Sequence, residues 1–258
     1  MPLLQYLSLM DTMARMNLRA DAARYYFGYV WWVLEPLLYV AVFYVVFNVI
    51  LDSRRLDFLV FLMCGKLAFI WFSKSVNQAS NSILANKSLI GKLNISKALF
   101  PMAVIQEGLY KQATVFLLLF AVLFAYGYTP SMNWIALAPI IGVNYLMIVA
   151  CSLVGACLVC MMRDISMVIG LAMIFLMFTS GIFWDVRDLG DPDKTALLLA
   201  VNPLAFIIDA YRQVLMYNQL PDWPHLATLG AGSAAICLFM AKLMQRGSQF
   251  LARRALTS

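Results

Sequence analysis

The chain has 258 residues, 63% of them hydrophobic and only 12% charged. A soluble domain would be about a quarter charged, so a water-soluble globular protein is excluded. The net charge of +6 is spread beside apolar runs, which argues against nucleic-acid binding and fits membrane topology.

Six apolar runs approach the length needed to cross a bilayer, and none alternates as a barrel strand would. The expected fold is an all-α membrane protein. It has an amphipathic interface helix over residues 1–29 and a six-span transmembrane domain over 30–258. The N-terminus lacks a basic n-region ahead of a short apolar core, so no cleavable signal peptide is expected. Cys64, Cys151, Cys157, Cys160 and Cys237 all lie in apolar runs, at no metal or disulfide spacing. His225 is the single histidine, which excludes a multi-histidine metal centre.

Residues 3–27 predict a helix. Gln5, Ser8, Thr12, Arg15 and Arg19 recur at three- to four-residue spacing and form a polar stripe. Such a helix lies in the membrane plane. Arg24–Pro36 follows as a dense aromatic stretch. Tyr25, Tyr26, Tyr29, Trp31 and Trp32 suit headgroup depth, where one end of the ring is wet and the other dry. Glu35 sits a turn inside the apolar run, where a carboxylate must be paired or hydrated. The stretch reads as an interfacial anchor with a snorkelling Glu, or as the mouth of a polar pathway that includes Tyr39.

The spans are expected near Val30–Leu51, Phe58–Ser80, Ala98–Tyr126, Trp134–Met162, Ser166–Phe183 and His225–Leu243. Lys66 and Lys74 interrupt the second and must face protein or water, or snorkel. Glu107 and Lys111 in the third stand at i,i+4, the favourable order for a helical ion pair. Asn81–Lys97 is a polar, mildly amphipathic connection carrying Lys87 and Lys92, and Arg163-Asp164 is a tight charged turn. Trp184–Trp223 starts acidic and then becomes apolar in two short segments. Asn202-Pro203 is a strong helix start. Two short apolar helices between spans predict a re-entrant hairpin buried in protein or water, inside which Asp209 and Arg212 could pair at i,i+3; the other reading is a helix lying on the outer face.

Basic residues set the orientation. With the N-terminus in the cytoplasm, that side holds Arg15, Arg19, Arg24, Lys87, Lys92, Lys97, Arg163, Lys242, Arg246, Arg253 and Arg254. The other side holds Arg54, Arg55, Arg187, Lys194 and Arg212. Both termini are then cytoplasmic. No P-loop is present: Gly91-Lys92 lacks both the preceding spacing and the following Ser/Thr. No nucleophile elbow or zinc-binding His pair is present either, so the chain is expected to be no enzyme.

Gly28-Tyr29-Val30-Trp31 with Glu35-Pro36, Arg163-Asp164 and Asn202-Pro203-Leu204 with Arg212 resemble motifs of ABC-2 type permeases that export polysaccharides. The resemblance covers about residues 10–245. Gly65 matches the family's second span, whereas Lys66 and Ala68 depart from it. Phe100-Pro101 and Tyr126–Pro130 look closest to O-antigen exporters. Capsule and teichoic acid exporters share the architecture.

The resemblance implies a homodimer in the bacterial inner membrane, with two copies of a separate cytoplasmic ATPase holding ATP and magnesium, and no cofactor in this chain. It places ATPase coupling at Lys87, Lys92, Arg163 and Asp164, and an outer gate at Asn202, Pro203, Asp209 and Arg212. The cargo would be a lipid-linked polysaccharide. Tyr25, Tyr26, Tyr29, Trp31, Trp32, Glu35, Tyr39, Glu107 and Lys111 are the expected pathway residues. Aromatic faces beside a few polar groups suit sugar rings. A proton-coupled transporter with Glu35, Glu107 and Lys111 as a relay is the alternative from another class.

Overall fold

The computed structural model describes residues 3–46, 57–90, 96–247, 249–250 and 254. The end of the first expected span, most of the connection that follows it, Arg54, Arg55, Lys92 and Arg253 lie outside the described residues. The described residues form ten α-helices and no strand. They are α1 Leu3–Arg24, α2 Trp31–Tyr44, α3 Phe58–Ala85, α4 Lys87–Ile90, α5 Leu99–Ala125, α6 Leu137–Met161, α7 Ile165–Thr179, α8 Pro192–Val201, α9 Pro203–Leu215 and α10 Trp223–Arg246.

Among the described residues, α3, α5, α6 with its preceding 3₁₀ turn, and α10 are each long and apolar enough to cross a membrane. They match the second, third, fourth and sixth expected spans. Two bent pairs raise the number to as many as six. The fifth expected span is shorter than expected. Its helix α7 has 15 residues, about 22 Å at 1.5 Å per residue, against about 30 Å of hydrocarbon. Helix α3 runs past Ser80 to Ala85, so the expected connection Asn81–Lys97 is partly a continuation of the span.

α3 is the central helix and packs on α2, α5, α6, α7 and α9. Its buried residues include Phe61, Leu62, Met63, Leu67, Trp71, Phe72 and Ile83, so it is apolar around most of its circumference. α1 lies across α5, where Met10 meets Leu99 and Ala103. The stripe Gln5, Ser8, Thr12, Arg15 and Arg19 stays exposed. The chain turns by 100° between α1 and α2, and Gly28 makes the turn at φ +52°.

The hairpin of α8 and α9 forms at the opposite end of the bundle, with a bend of 112°. Its helix starts are chemically specified. Asp191 accepts from the amides of Asp193 and Lys194 ahead of Pro192-led α8. Asn202 accepts from Leu204 and Ala205 ahead of Pro203-led α9, so first-turn amides find acceptors without water. The two helices are unequal. α9 is buried throughout its length, whereas α8 has no buried residue and exposes Leu197 and Val201.

The expected pairing of Asp209 with Arg212 does not form. Asp209 takes a two-pronged contact from Arg187, with Nε–Oδ1 at 3.0 Å and Nη2–Oδ2 at 2.8 Å, and accepts from Gln213 at 2.7 Å. Arg212 turns into the core and donates to three carbonyls. These are Gly181 at 2.6 Å, Ile182 at 2.9 Å and Phe61 at 3.3 Å. Its guanidinium lies 3.4 Å from the Phe61 ring centroid. The carbonyls of Gly181 and Ile182 are free because α7 ends there: Gly181 at φ +70° takes the left-handed position that closes a helix. They left no acceptor need for Asp209 to meet, and the planar fork of Arg fits several carbonyls at once. Gly65 makes the room, since a Cβ there would stand 2.6 Å from Arg212 Nη2.

Replacing Arg212 with Ala strands the two buried carbonyls of Gly181 and Ile182, whereas that of Phe61 keeps its bond within α3, at about 1–3 kcal/mol for each group left without a partner. Arg212→Ala should therefore destabilise the purified protein by roughly 2 kcal/mol or more, read as a lowered melting temperature in detergent. The hairpin can be probed separately by thiol labelling in a cysteine-free background. Cysteines at Phe206 and Leu215 should resist membrane-impermeant reagents, while one at exposed Lys194 reacts. Equal labelling at all three would remove α9 from the core.

Candidate functional site

The α1–α2 turn brings the aromatic stretch against α3 and α5. A cavity of about 240 Å³ lies between them, lined by Asp21, Tyr25, Trp31, Trp32, Glu35, Trp71, Lys74, Gln78, Lys111 and Gln112, among others. Tyr25 and Trp31 stack with ring centroids 5.9 Å apart. Trp32 Nε1 donates to Asp21 at 3.2 Å.

Two ion-paired groups bound this cavity. On the α1–α5 side, Lys111 Nζ bridges Asp21 at 2.6 Å and Glu107 at 2.8 Å. Between α2 and α3, Glu35 meets Lys74 at 2.5 Å. Each span carboxylate thus has an ammonium partner, as a low-dielectric setting requires. Two donors remain open. Trp71 Nε1 and Gln112 Nε2 are buried without a protein acceptor, and both residues line the cavity. Buried donors of this kind call for water or a ligand oxygen. Aromatic faces, fixed charges and unspent donors in one concavity suit a polyhydroxylated ligand.

Five of the expected pathway residues meet here, Tyr25, Trp31, Trp32, Glu35 and Lys111, joined by Lys74. Glu107 holds Lys111. Tyr26 and Tyr29 are exposed on the outer side of the turn, where Tyr29 packs edge-on against Trp32. Tyr39 faces a neighbouring groove with Lys66. Asp21 was not among the expected site residues. It lies within the polar helix α1, and only the crossing of α1 over α5 brings it to Lys111.

That crossing has a second clasp. Tyr110 donates to Asp11, and this bond, with Arg15 adding to it, holds the Asp11 carboxyl below its ordinary value. At the hairpin end, Tyr128 donates to Asp57 at 3.0 Å. Burial, reinforced by Asp57, pushes its hydroxyl up to about 12.

Arg163 and Asp164 are exposed in the turn between α6 and α7. Lys87 opens the short helix α4 just beyond α3. A Cβ on Gly155 of α6 would touch Ser80 of α3, so the C-terminal ends of these two helices lie together. Of the expected coupling residues, Lys87, Arg163 and Asp164 therefore share one end of the bundle. Asn202 stands at the bend of the hairpin, and Pro203, Asp209 and Arg212 lie on α9, at the other end.

The family model of the ABC-2 type transporter matches residues 12–216. The chain belongs to this family. The match runs from α1 through α9, so it takes in the aromatic turn, the cavity and the hairpin. Similar curated proteins include two named O-antigen export system permease protein RfbA. One, from Klebsiella pneumoniae, is 26% identical over 205 residues, covering 79% of this chain and 78% of the relative. The other, from Myxococcus xanthus, is 23% identical over 234 residues, covering 91% and 90%. ABC-2 membership makes the chain a multi-pass membrane transport protein, in keeping with its long apolar helices.

The bridging geometry makes Lys111 more consequential than Glu107. Lys111→Met leaves Asp21 and Glu107 facing each other without a cation, whereas Glu107→Gln leaves Lys111 paired with Asp21. Lys111→Met should lower the yield and melting temperature of the purified protein more than Glu107→Gln, by about 1–3 kcal/mol. The combined Lys111→Met/Glu107→Gln/Asp21→Asn change should recover part of the loss. Equal effects of the two single changes would mean that the bridge carries no weight.

Proposed function

We propose that this ABC-2 chain is the membrane subunit of an ATP-driven exporter moving a lipid-linked polysaccharide of the O-antigen class across the cytoplasmic membrane. The similarity to permeases named for O-antigen export, over three-quarters or more of each chain, is the observation that carries this reading. The cavity supports it on chemical grounds. Stacked Tyr25 and Trp31 offer faces to sugar C–H surfaces, and Trp71 and Gln112 offer donors to hydroxyl oxygens. Capsular polysaccharide and teichoic acid are cargoes of the same architecture, but no similar protein here bears their names. The relay reading gains nothing from the geometry, since Glu35 and Glu107 are each closed in an ion pair.

A cavity of about 240 Å³ cannot pass a polymer, so the pathway needs a second copy of the chain. A homodimer is the economical assembly for such a pathway. In this reading both termini are cytoplasmic, residues 1–29 form the interface unit and 30–258 the transmembrane unit. The chain performs no hydrolysis. ATP and magnesium belong to two copies of a cytoplasmic ATPase, docked on the end that carries Lys87, Arg163 and Asp164. The hairpin closes the far end.

Deleting the gene should abolish surface glycan and leave its lipid-linked form inside the cell, read by immunoblot after fractionation. Cysteines at Lys87 and Arg163 should crosslink to the ATPase. Normal surface glycan in the deletion strain would overturn the transport reading. Absence of crosslinks at both positions, with crosslinks elsewhere, would move the docking site.

A further inference from the structure

Lys66 is the one buried lysine of the span helices whose charge the described residues leave unanswered. It projects from α3, is 4% exposed, and forms no ion pair. Its ammonium donates to the Met177 thioether at 3.0 Å and lies 4.5 Å from the Phe43 ring centroid. Tyr39, Phe69 and Phe183 stand farther off, at 5.7–5.9 Å. A thioether is a weak acceptor, and an ammonium has three donors to place. Aromatic faces attract a cation but do not replace the hydration that burial removes.

Among the described residues, no carboxylate in the span helices is free to answer it. Glu35 is held by Lys74, and Glu107 by Lys111. The remaining described acids lie on α1, in the connections or in the hairpin. No carboxylate is among the residues that line the space beside it, so a group from outside the chain can supply the counter-charge. The space for it exists: a groove of about 280 Å³ between α2, α3 and α7 is lined by Tyr39, Lys66, Ser73, Lys74 and Asn77, with Met173 and Met177 opposite. Two ammoniums, an amide and a hydroxyl along one wall favour an oxyanion, and the Tyr39 face favours a ring beside it.

We propose that this groove is an oxyanion-binding site anchored by Lys66, and that its occupant is a carboxylate or phosphate group carried on the exported glycan. The proposal rests on the transport reading and adds to it a preference for acidic cargo. A phosphate of a membrane lipid presents the same chemistry, so the test separates the two sources.

The full-length protein, with its native cysteines replaced and Ser73→Cys in the groove, is placed in phosphatidylcholine nanodiscs. The thiol is modified with an anionic sulfonatoethyl and a cationic trimethylammonioethyl methanethiosulfonate. The anion-to-cation rate ratio should fall about tenfold in Lys66→Gln, as removal of a nearby charge predicts, and Lys66→Arg should restore it. The neutral methyl reagent reports whether the groove keeps its shape. Where its rate changes in Lys66→Gln, the volume-matched Lys66→Met repeats the comparison.

Protection from the sulfonate reagent by a hyaluronan tetrasaccharide, but not by maltotetraose, assigns the site to acidic glycan. Protection by phosphatidylglycerol in the disc, with no effect of the tetrasaccharide, keeps the oxyanion site but overturns the glycan as its occupant. A ratio unchanged in the Lys66 variants, or protection by neither anion, overturns the proposal. Continued glycan export in cells alongside that result leaves the transport reading standing.

Discussion

The hairpin end of the bundle depends on one guanidinium. Arg212 collects the carbonyls of Phe61, Gly181 and Ile182, and so joins α9 to α3 and to the chain that leaves α7. Each partner has a reason to be there. Gly181 closes α7 in the left-handed region and leaves carbonyls unspent. Gly65 clears the volume that the fork enters. In a membrane setting, irregular backbone is tolerated only where protein or water satisfies it. Arg212 supplies that satisfaction from a side chain, which lets a break in the helical pattern sit deep in the fold.

Charge is used sparingly and locally elsewhere. Asp209 is 3% exposed and is held by Arg187 and Gln213, so the hairpin closes on a pair of separate anchors rather than a single internal one. At the other end, α1 is clasped to α5 by Asp11–Tyr110 and by the Asp21–Lys111–Glu107 bridge. The clasp fixes the aromatic turn over the cavity. A helix lying across the bundle thereby shapes a polar concavity that none of the span helices forms alone. Function in this reading belongs to the junction of α1, α2, α3 and α5, where stacked rings and open donors meet.

Local chemistry was legible in the residue order. The long apolar runs marked α3, α5, α6 and α10, because burying backbone amides in lipid permits few alternatives to the helix. Asn202-Pro203 marked the start of α9, because an amide acceptor followed by a fixed φ serves the first helical turn. Glu107 and Lys111 paired as their i,i+4 spacing required. The i,i+3 spacing of Asp209 and Arg212 suggested a pair by the same rule. It failed because acceptors 30 and 151 residues away in sequence competed for Arg212. Helical spacing ranks only the neighbours on one helix.

The sequence by itself determined that the chain is helical, membrane-spanning and broken by a short apolar hairpin, since periodicity, run length and capping are properties of adjacent residues. Tertiary structure alone decided which polar groups answer one another. Asp21 on a polar surface helix became the partner of Lys111, Lys74 became the partner of Glu35, and Lys66 was left among aromatic rings. The physical reason is that a buried charge is stabilised by whatever lies within a few ångströms of it, and helix crossings, rather than chain order, set those distances.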